Sequence, residues 1–208
     1  MIFNVTGLTQ AQLCTGLTLG DFNSISTTTG NQLTYKGWPL YYYSPGDIRE
    51  LAGLTTGDAI GNLCFVAKPD YTIMLANAQL VGADGKNYIV SSTNVYSEGV
   101  GSTTYFTDLP GRTLYAFKPD SFNINKYTTT NAALNAIWPI YQTDKAVVPS
   151  ILDKTLFNNI TVFGNVQLTY KGRPMYYFAP DVDAATGKFR GNFQGCKYRY
   201  SRVMAYFI

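Results

Sequence analysis

One tyrosine-rich phrase occurs twice in the chain, as LTYKGWPLYYYSPGD at residues 33–47 and as LTYKGRPMYYFAPD at 168–181. Repetition of a phrase this long argues for repetition of the structural unit it forms. The correspondence also runs upstream without a gap. Phe22, Asn23 and Ile25 align with Phe157, Asn158 and Ile160, at the offset that sets Tyr35 on Tyr170 and Pro39 on Pro174. A third, shorter echo, GRTLYAFKPD at 111–120, sets Tyr115, Phe117 and Asp120 on Tyr176, Phe178 and Asp181. The shared pattern is an aromatic residue, any residue, a second aromatic, and then a turn that carries an acid.

That pattern has a direct physical reading. Side chains alternate between the faces of a strand, so Tyr41 with Tyr43, Tyr115 with Phe117, and Tyr176 with Phe178 each set two rings on one side. Rings of this size bury large apolar areas while tyrosine hydroxyls find polar partners. Gly37 and Gly172 supply the positive φ of a tight hairpin turn, and Pro39 and Pro174 open the returning strand, where a missing donor is tolerated. Hairpins are therefore expected over 31–43 and 166–178. Another is expected over 105–117, turning at Asp108, Pro110 and Gly111. Asp120 and Asp181 follow their strands by three residues, where a carboxylate can bond the backbone of the next turn. In the first copy that slot is Gly46, with Asp47 one place later, a slip that argues against a shared catalytic role.

Charged residues make up 14% of the 208, whereas Tyr, Phe and Trp reach 15%. With many Thr, Asn and Gly between them, this favours strands and turns over long helices. Short helical turns are expected near 129–137 before Trp138-Pro139, in PGDIRELAG with Asp47 as cap, and in PSILDKTLF with Ser150 as cap. An Asp84-Gly85 turn should join two strands in ANAQLVGADGKNYIVSS. The expectation is an all-β protein of antiparallel hairpins in a sandwich- or barrel-like body, made of two related tandem units. The first unit spans 1–98 and is incomplete at its N-terminus; the second spans 99–208, the two packing as one globular body.

The chain contains no histidine. This removes Ser-His-Asp and Cys-His catalysis and the usual zinc sites together. Cys14, Cys64 and Cys196 stand far apart and are odd in number, so free, buried cysteines are expected, with one distant pair left open. A net charge of +3 is too small to argue for a nucleic-acid partner. In the tail, Lys188, Arg190, Lys197, Arg199 and Arg202 alternate with Phe189, Tyr198 and Tyr200, the pattern of a half-buried strand as much as of a base-stacking surface. No stretch approaches the roughly 20 apolar residues of a membrane span, and the start lacks the features of a signal peptide.

Candidate chemistry is sparse. Asp47, Asp120, Asp181 and Asp183 are the acids available for a carboxylate pair of the glycosidase kind, but acidic turn residues are far commoner than catalytic dyads. DVDAATG at 181–187 faintly matches an oxygen-ligand calcium loop through Asp181, Asp183 and Thr186, without its closing glutamate. No phosphate-binding, dinucleotide or nucleophile-elbow motif is present. Trp38 and Arg173, which differ most between the copies and directly follow the hairpin glycine, are candidate ligand contacts. Trp38 is expected to be the most exposed aromatic.

The ordered combination TLYAFKPD, AIWPIY and VQLTYKGRPMYYFAPD resembles the secreted repeat of bacterial lipoproteins that carry a conserved Tyr-x-Phe-x-x-Asp motif, a family without an established activity. The resemblance covers about 103–190, with a partial unit at about 20–75. It sets the motif on Tyr115, Phe117 and Asp120, and again on Tyr176, Phe178 and Asp181. It implies a secreted or cell-envelope location. The chain departs from the family in having no cysteine pair before Trp138-Pro139 and no closing tryptophan after the second motif. It also lacks a signal at its start, so an upstream start and a frame shift after Gly195 are expected. Together these readings point to a non-enzymatic binding or structural surface role toward envelope components or glycans, with no cofactor, no metal and no catalytic residues. An envelope redox or cofactor-carrying protein is the alternative, and carboxylate hydrolysis the third reading.

Overall fold

The computed structural model describes residues 7–82, 84–93 and 95–181, and the backbone of Val203–Ala205. The fold is all-β, built from antiparallel sheets joined by short 3-10 turns and one short helix. It divides into two compact units, Met1–Asp70 and Tyr71–Ile208.

The first unit holds a three-stranded sheet in the order β1 (Phe22–Thr27), β2 (Gly30–Tyr35), β3 (Trp38–Pro39). β1 and β2 pair from Phe22↔Tyr35 to Thr27↔Gly30, and β3 returns along β2 through Thr34↔Pro39 and Tyr35↔Trp38. The turn between β2 and β3 has φ +45° at Lys36 and +81° at Gly37. Two positive φ values in a two-residue loop follow the right-handed twist of the flanking strands. The glycine was legible in the sequence; the left-handed lysine was not. Leu33 is the one buried hydrophobic residue of this unit among those described.

The second unit holds two sheets. One runs in the order β6-β5-β4-β7, from β4 (Met74–Val81), β5 (Asn87–Val90), β6 (Tyr96–Glu98) and β7 (Ser102–Thr107). The expected Asp84-Gly85 turn joins β4 to β5, with Gly85 at φ +74° and Lys86 N donating to Asp84 Oδ1. The expected boundary at 98/99 falls inside this sheet, between β6 and β7; β7 pairs with β4 across it, and the compact units divide at Asp70/Tyr71 instead. The second sheet runs β12-β8-β11-β10-β9. Its strands are β8 (Tyr115–Phe117), β9 (Phe157–Val162), β10 (Asn165–Tyr170), β11 (Arg173–Tyr176) and β12 (Val203–Ala205). The turn at Asp108–Gly111 forms as expected, with Gly111 at φ +93°, and the hairpin closes as far as Leu114 N on Phe106 O. Beyond that point β8 leaves β7 and joins the other sheet, pairing with β11.

Two clusters form the core of this unit, and both draw on the two sheets. Leu80, Tyr88 and Tyr105 meet Tyr115, Trp138, Ile140, Val162, Tyr176 and Phe178; Ile73 and Phe106 meet Leu114, Leu168 and Met175 among others. The helix α1 (Ala132–Ile137) begins at Asn131, whose side chain accepts from Leu134 N at 3.1 Å, and stops at Trp138 before Pro139. The turn at Lys154–Leu156 is capped by Asp153, which accepts from Thr155 N, rather than by Ser150. At Pro45–Asp47 the acid lies inside the turn rather than at its cap. Cys14 and Cys64 are free, as expected, but exposed rather than buried, because neither sits on a strand that faces a core. Cys196, Asp183, Thr186 and the basic-aromatic tail lie outside the described residues, apart from the backbone of β12.

A reciprocal tyrosine-aspartate centre

The sequence sets the two motifs Tyr115-x-Phe117-x-x-Asp120 and Tyr176-x-Phe178-x-x-Asp181 far apart, and the fold pairs them. β8 and β11 run antiparallel through Met175↔Ala116 and Tyr176↔Tyr115. Each strand is followed by the same turn, with Asp120 N on Phe117 O and Asp181 N on Phe178 O, both at 3.0 Å. Antiparallel pairing then sends the end of each strand toward the start of the other. As a result each tyrosine meets the acid of the opposite motif: Tyr176 Oη donates to Asp120 Oδ2 at 2.6 Å, and Tyr115 Oη donates to Asp181 Oδ2. All four residues are at most 4% exposed.

Aromatic packing surrounds this exchange. Trp138, the residue expected to end the helix, lies 4.3 Å from Phe178 and edge-on to Tyr115 at 5.5 Å between ring centroids. Phe117 is half-buried and stacks on Tyr127 at 3.7 Å, and Tyr127 meets Tyr176 edge-on. The expected placement of two rings on one side therefore holds for Tyr115 with Phe117 and for Tyr176 with Phe178.

Asp120 is held from several directions. Its Oδ1 accepts from the backbone of Lys126 at 2.7 Å and of Tyr127 at 3.1 Å, so the acid organises the loop after the strand. Burial pushes its pKa above the ordinary carboxylate value, opposed by the Tyr176 hydroxyl, those two backbone amides and the Arg173 guanidinium. Arg173 is exposed, but its Nη1 donates to the carbonyls of Asp120 and Lys118. The candidate ligand contact is thus also a cap on the motif turn. Chemically, the centre fixes two short strands that share few backbone hydrogen bonds, since a hydrogen bond between buried groups is costly to leave unmade.

A second polar cluster was not anticipated. Arg112 Nε donates to Asp108 Oδ2 at 2.6 Å, Tyr177 Oη donates to the same oxygen at 2.8 Å, and Arg112 Nη2 donates to the Tyr177 hydroxyl at 2.9 Å. The Arg112 guanidinium also lies over the Tyr177 ring at 4.3 Å. Burial raises the pKa of the Tyr177 hydroxyl, with the Asp108 carboxylate adding to the effect. Tyr141 packs edge-on against Tyr177 and donates to Thr72 O, and burial raises its pKa as well. The sequence signal was present: within Tyr176-Tyr177-Phe178 the middle ring must face away from its neighbours, and Asp108 and Arg112 flank one turn.

The first copy is placed differently. Tyr41 is 67% exposed, Tyr43 is half-buried, and Asp47 is exposed, where Asp181 is buried. Trp38 is half-buried, so Tyr41 rather than Trp38 is the exposed aromatic of this copy. Among the described residues, no group of three Cys, Asp or Glu side chains is placed to hold a metal ion, and no helix is long and apolar enough to cross a membrane. Compared with protein-family models, with curated proteins and with solved structures, the chain gives no match in any of the three.

Proposed function

We propose that this chain is an exported or cell-envelope protein with a binding or structural surface role, built from two copies of one aromatic module. Its proposed partners are envelope components or glycans. The observation that carries this reading is the exchange of hydrogen bonds between the two Tyr-x-Phe-x-x-Asp motifs. It gives the motif a purpose in holding a fold, and the resemblance to secreted repeats supports the proposed location. The same observation weighs against carboxylate hydrolysis at Asp120 and Asp181. A catalytic acid must reach substrate, whereas these two are 3% and 4% exposed and already bonded. The experiment is fractionation of source cells with an antibody raised against the chain, followed by binding of the purified chain to isolated envelope and to arrayed glycans. Recovery from the envelope or medium with saturable binding is expected. Recovery from the cytosol alone would overturn the location, and absence of binding to either material would overturn the partner class.

A further inference from the structure

The two copies of the repeated phrase share one frame. β1, β2 and β3 repeat the register of β9, β10 and β11: Phe22↔Tyr35 matches Phe157↔Tyr170, and Thr34↔Pro39 matches Thr169↔Pro174. The ring pairs Phe22–Tyr35 and Phe157–Tyr170 sit at 5.1 and 4.8 Å between centroids. Gln32 Nε2 donates to Leu40 O as Gln167 Nε2 donates to Met175 O, each at 2.9 Å. Lys36 N bonds Asp21 O as Lys171 N bonds Leu156 O, each at 2.7 Å.

On the second copy a loop rests against the Lys171-Gly172 turn. Asp120 shapes that loop through the amides of Lys126 and Tyr127. Within it Ser121 N donates to Ile124 O at 3.2 Å and Ile124 N to Ser121 O at 3.1 Å, so Phe122 and Asn123 form the tip of a tight turn. Asn123 N donates to Gly172 O at 2.7 Å, which ties this tip to the hairpin. A Cβ on Gly172 would collide with the Phe122 ring, so glycine lets the ring lie against the turn. The far side of the ring is uncovered: Phe122 is 72% exposed, and Ile124 beside it is 53% exposed. A bonded frame thus holds two apolar side chains out toward solvent.

The segments that these bonds bring together are basic. Lys118, Lys126, Lys171 and Arg173 are exposed. Arg173 Nη1 donates to the carbonyls of Lys118 and Asp120, and its guanidinium offsets the buried Asp120 carboxylate. Lys118, Lys126 and Lys171 form no ion pair among the described residues. Asp153, which caps the turn bonded to Lys171 N, is offset by Lys154 beside it. Exposed cations around exposed apolar side chains match an anionic bilayer, which draws the cations to its surface charge and takes a ring into its interfacial region. A soluble polyanion would answer the cations and leave Phe122 and Ile124 in water.

We propose that the stacked turns at 121–124 and 171–173 form a docking surface for an anionic lipid bilayer. Lys118, Lys126 and Lys171 lie at the headgroups, and Phe122 and Ile124 enter the boundary between headgroups and acyl chains. This names the envelope component of the reading above and rests on that reading for its biological use. Vesicle binding is measured on the purified chain, so recovery from the cytosol would sink the earlier reading and leave this one standing.

The test is flotation of the full chain with vesicles of phosphatidylcholine and phosphatidylglycerol in equal parts, against vesicles of phosphatidylcholine alone. Binding to the mixed vesicles that weakens with added salt is expected, with little binding to phosphatidylcholine. Phe122→Ala should weaken it about tenfold, and Lys118→Ala, Lys126→Ala and Lys171→Ala about fivefold each. All four side chains are exposed, and circular dichroism checks that the variants stay folded. Phe122→Trp should keep the affinity, and its emission should gain a component, absent from the parent, that brominated acyl chains quench. No binding to the mixed vesicles, or binding that Phe122→Ala and the triple lysine variant leave unchanged, would overturn the proposal. Binding weakened by the lysine variants but not by Phe122→Ala, and matched by a soluble acidic polysaccharide, would overturn it in favour of an acidic glycan.

Discussion

The hairpin at 22–43 and the hairpin at 157–178 share register, turn, ring pair and glutamine brace, yet among the described residues only the second contributes to a core cluster. Tyr176 is 1% exposed and Tyr41 is 67% exposed, at matching positions of the same phrase. What differs is the neighbour. β8 lies beside β11, and its own motif returns the hydrogen bond that it accepts. A local sequence sets local geometry, and whether its rings are buried is decided by a strand some sixty residues away in the chain, as Tyr115 and Tyr176 show. Among its described residues the first unit buries one hydrophobic side chain, Leu33, and the contrast yields a graded series of expected effects.

The largest effect belongs to the rings themselves. Tyr176→Ala or Phe178→Ala should destabilise the second unit by about 3 to 5 kcal/mol, while Tyr41→Ala should change stability by less than about 0.5 kcal/mol. Urea unfolding followed by tryptophan emission and circular dichroism measures both. Equal costs at Tyr41 and Tyr176 would break the comparison.

Next come the hydroxyls. Tyr176→Phe leaves Asp120 without its buried donor, and Tyr115→Phe does the same to Asp181; each should cost about 1.5 to 3 kcal/mol. Tyr41→Phe, at an exposed ring, should change stability by less than about 0.5 kcal/mol. A smaller effect is expected where the two copies agree. Gln32→Ala and Gln167→Ala each remove one bond to the returning strand, worth about 1 kcal/mol. The loss should be larger at Gln167, whose Oε1 also accepts from Asn125 Nδ2. Thermal melts of the two variants would reveal the difference.

The smallest effect is a pH dependence. The raised pKa of Asp120 means that the folded chain keeps a proton which the unfolded chain releases. The corresponding stability is fully present below the ordinary carboxylate value, about 4, and is lost as pH rises through the raised folded value. The melting temperature of the parent chain, relative to Asp120→Asn, should therefore fall across that window. A difference that rises instead would mean that the hydrogen bonds to Asp120 outweigh its burial.

Much of the fold was legible in local sequence. The alternation of rings, the Lys-Gly turns, the Asp84-Gly85 turn and the Trp138-Pro139 helix stop all lie where their residue chemistry puts them. At the slip from Asp181 to Asp47 the two copies also differ in structure, for Asp181 is buried and Asp47 is exposed. What the sequence did not display is pairing at long range. That Tyr115 answers Asp181 and Tyr176 answers Asp120 follows from β8 leaving β7 after Leu114, and nothing in GRTLYAF marks that departure. The unit boundary was misplaced for a related reason: the Gly-rich stretch at 99–101 is the connection between β6 and β7 of one sheet rather than a linker. The grouping of Asp108 and Arg112 with Tyr177 has the same origin, since it joins a turn to the middle ring of a distant motif and only long-range packing brings them together.

Tyrosine nitration of the native chain, read residue by residue by peptide mass spectrometry, tests most directly whether one phrase plays two parts. Fast modification of Tyr41 with protection of Tyr115 and Tyr176 is the expected result. Comparable rates at Tyr41 and Tyr176 would contradict it, because they would mean that β8 does not distinguish the two copies.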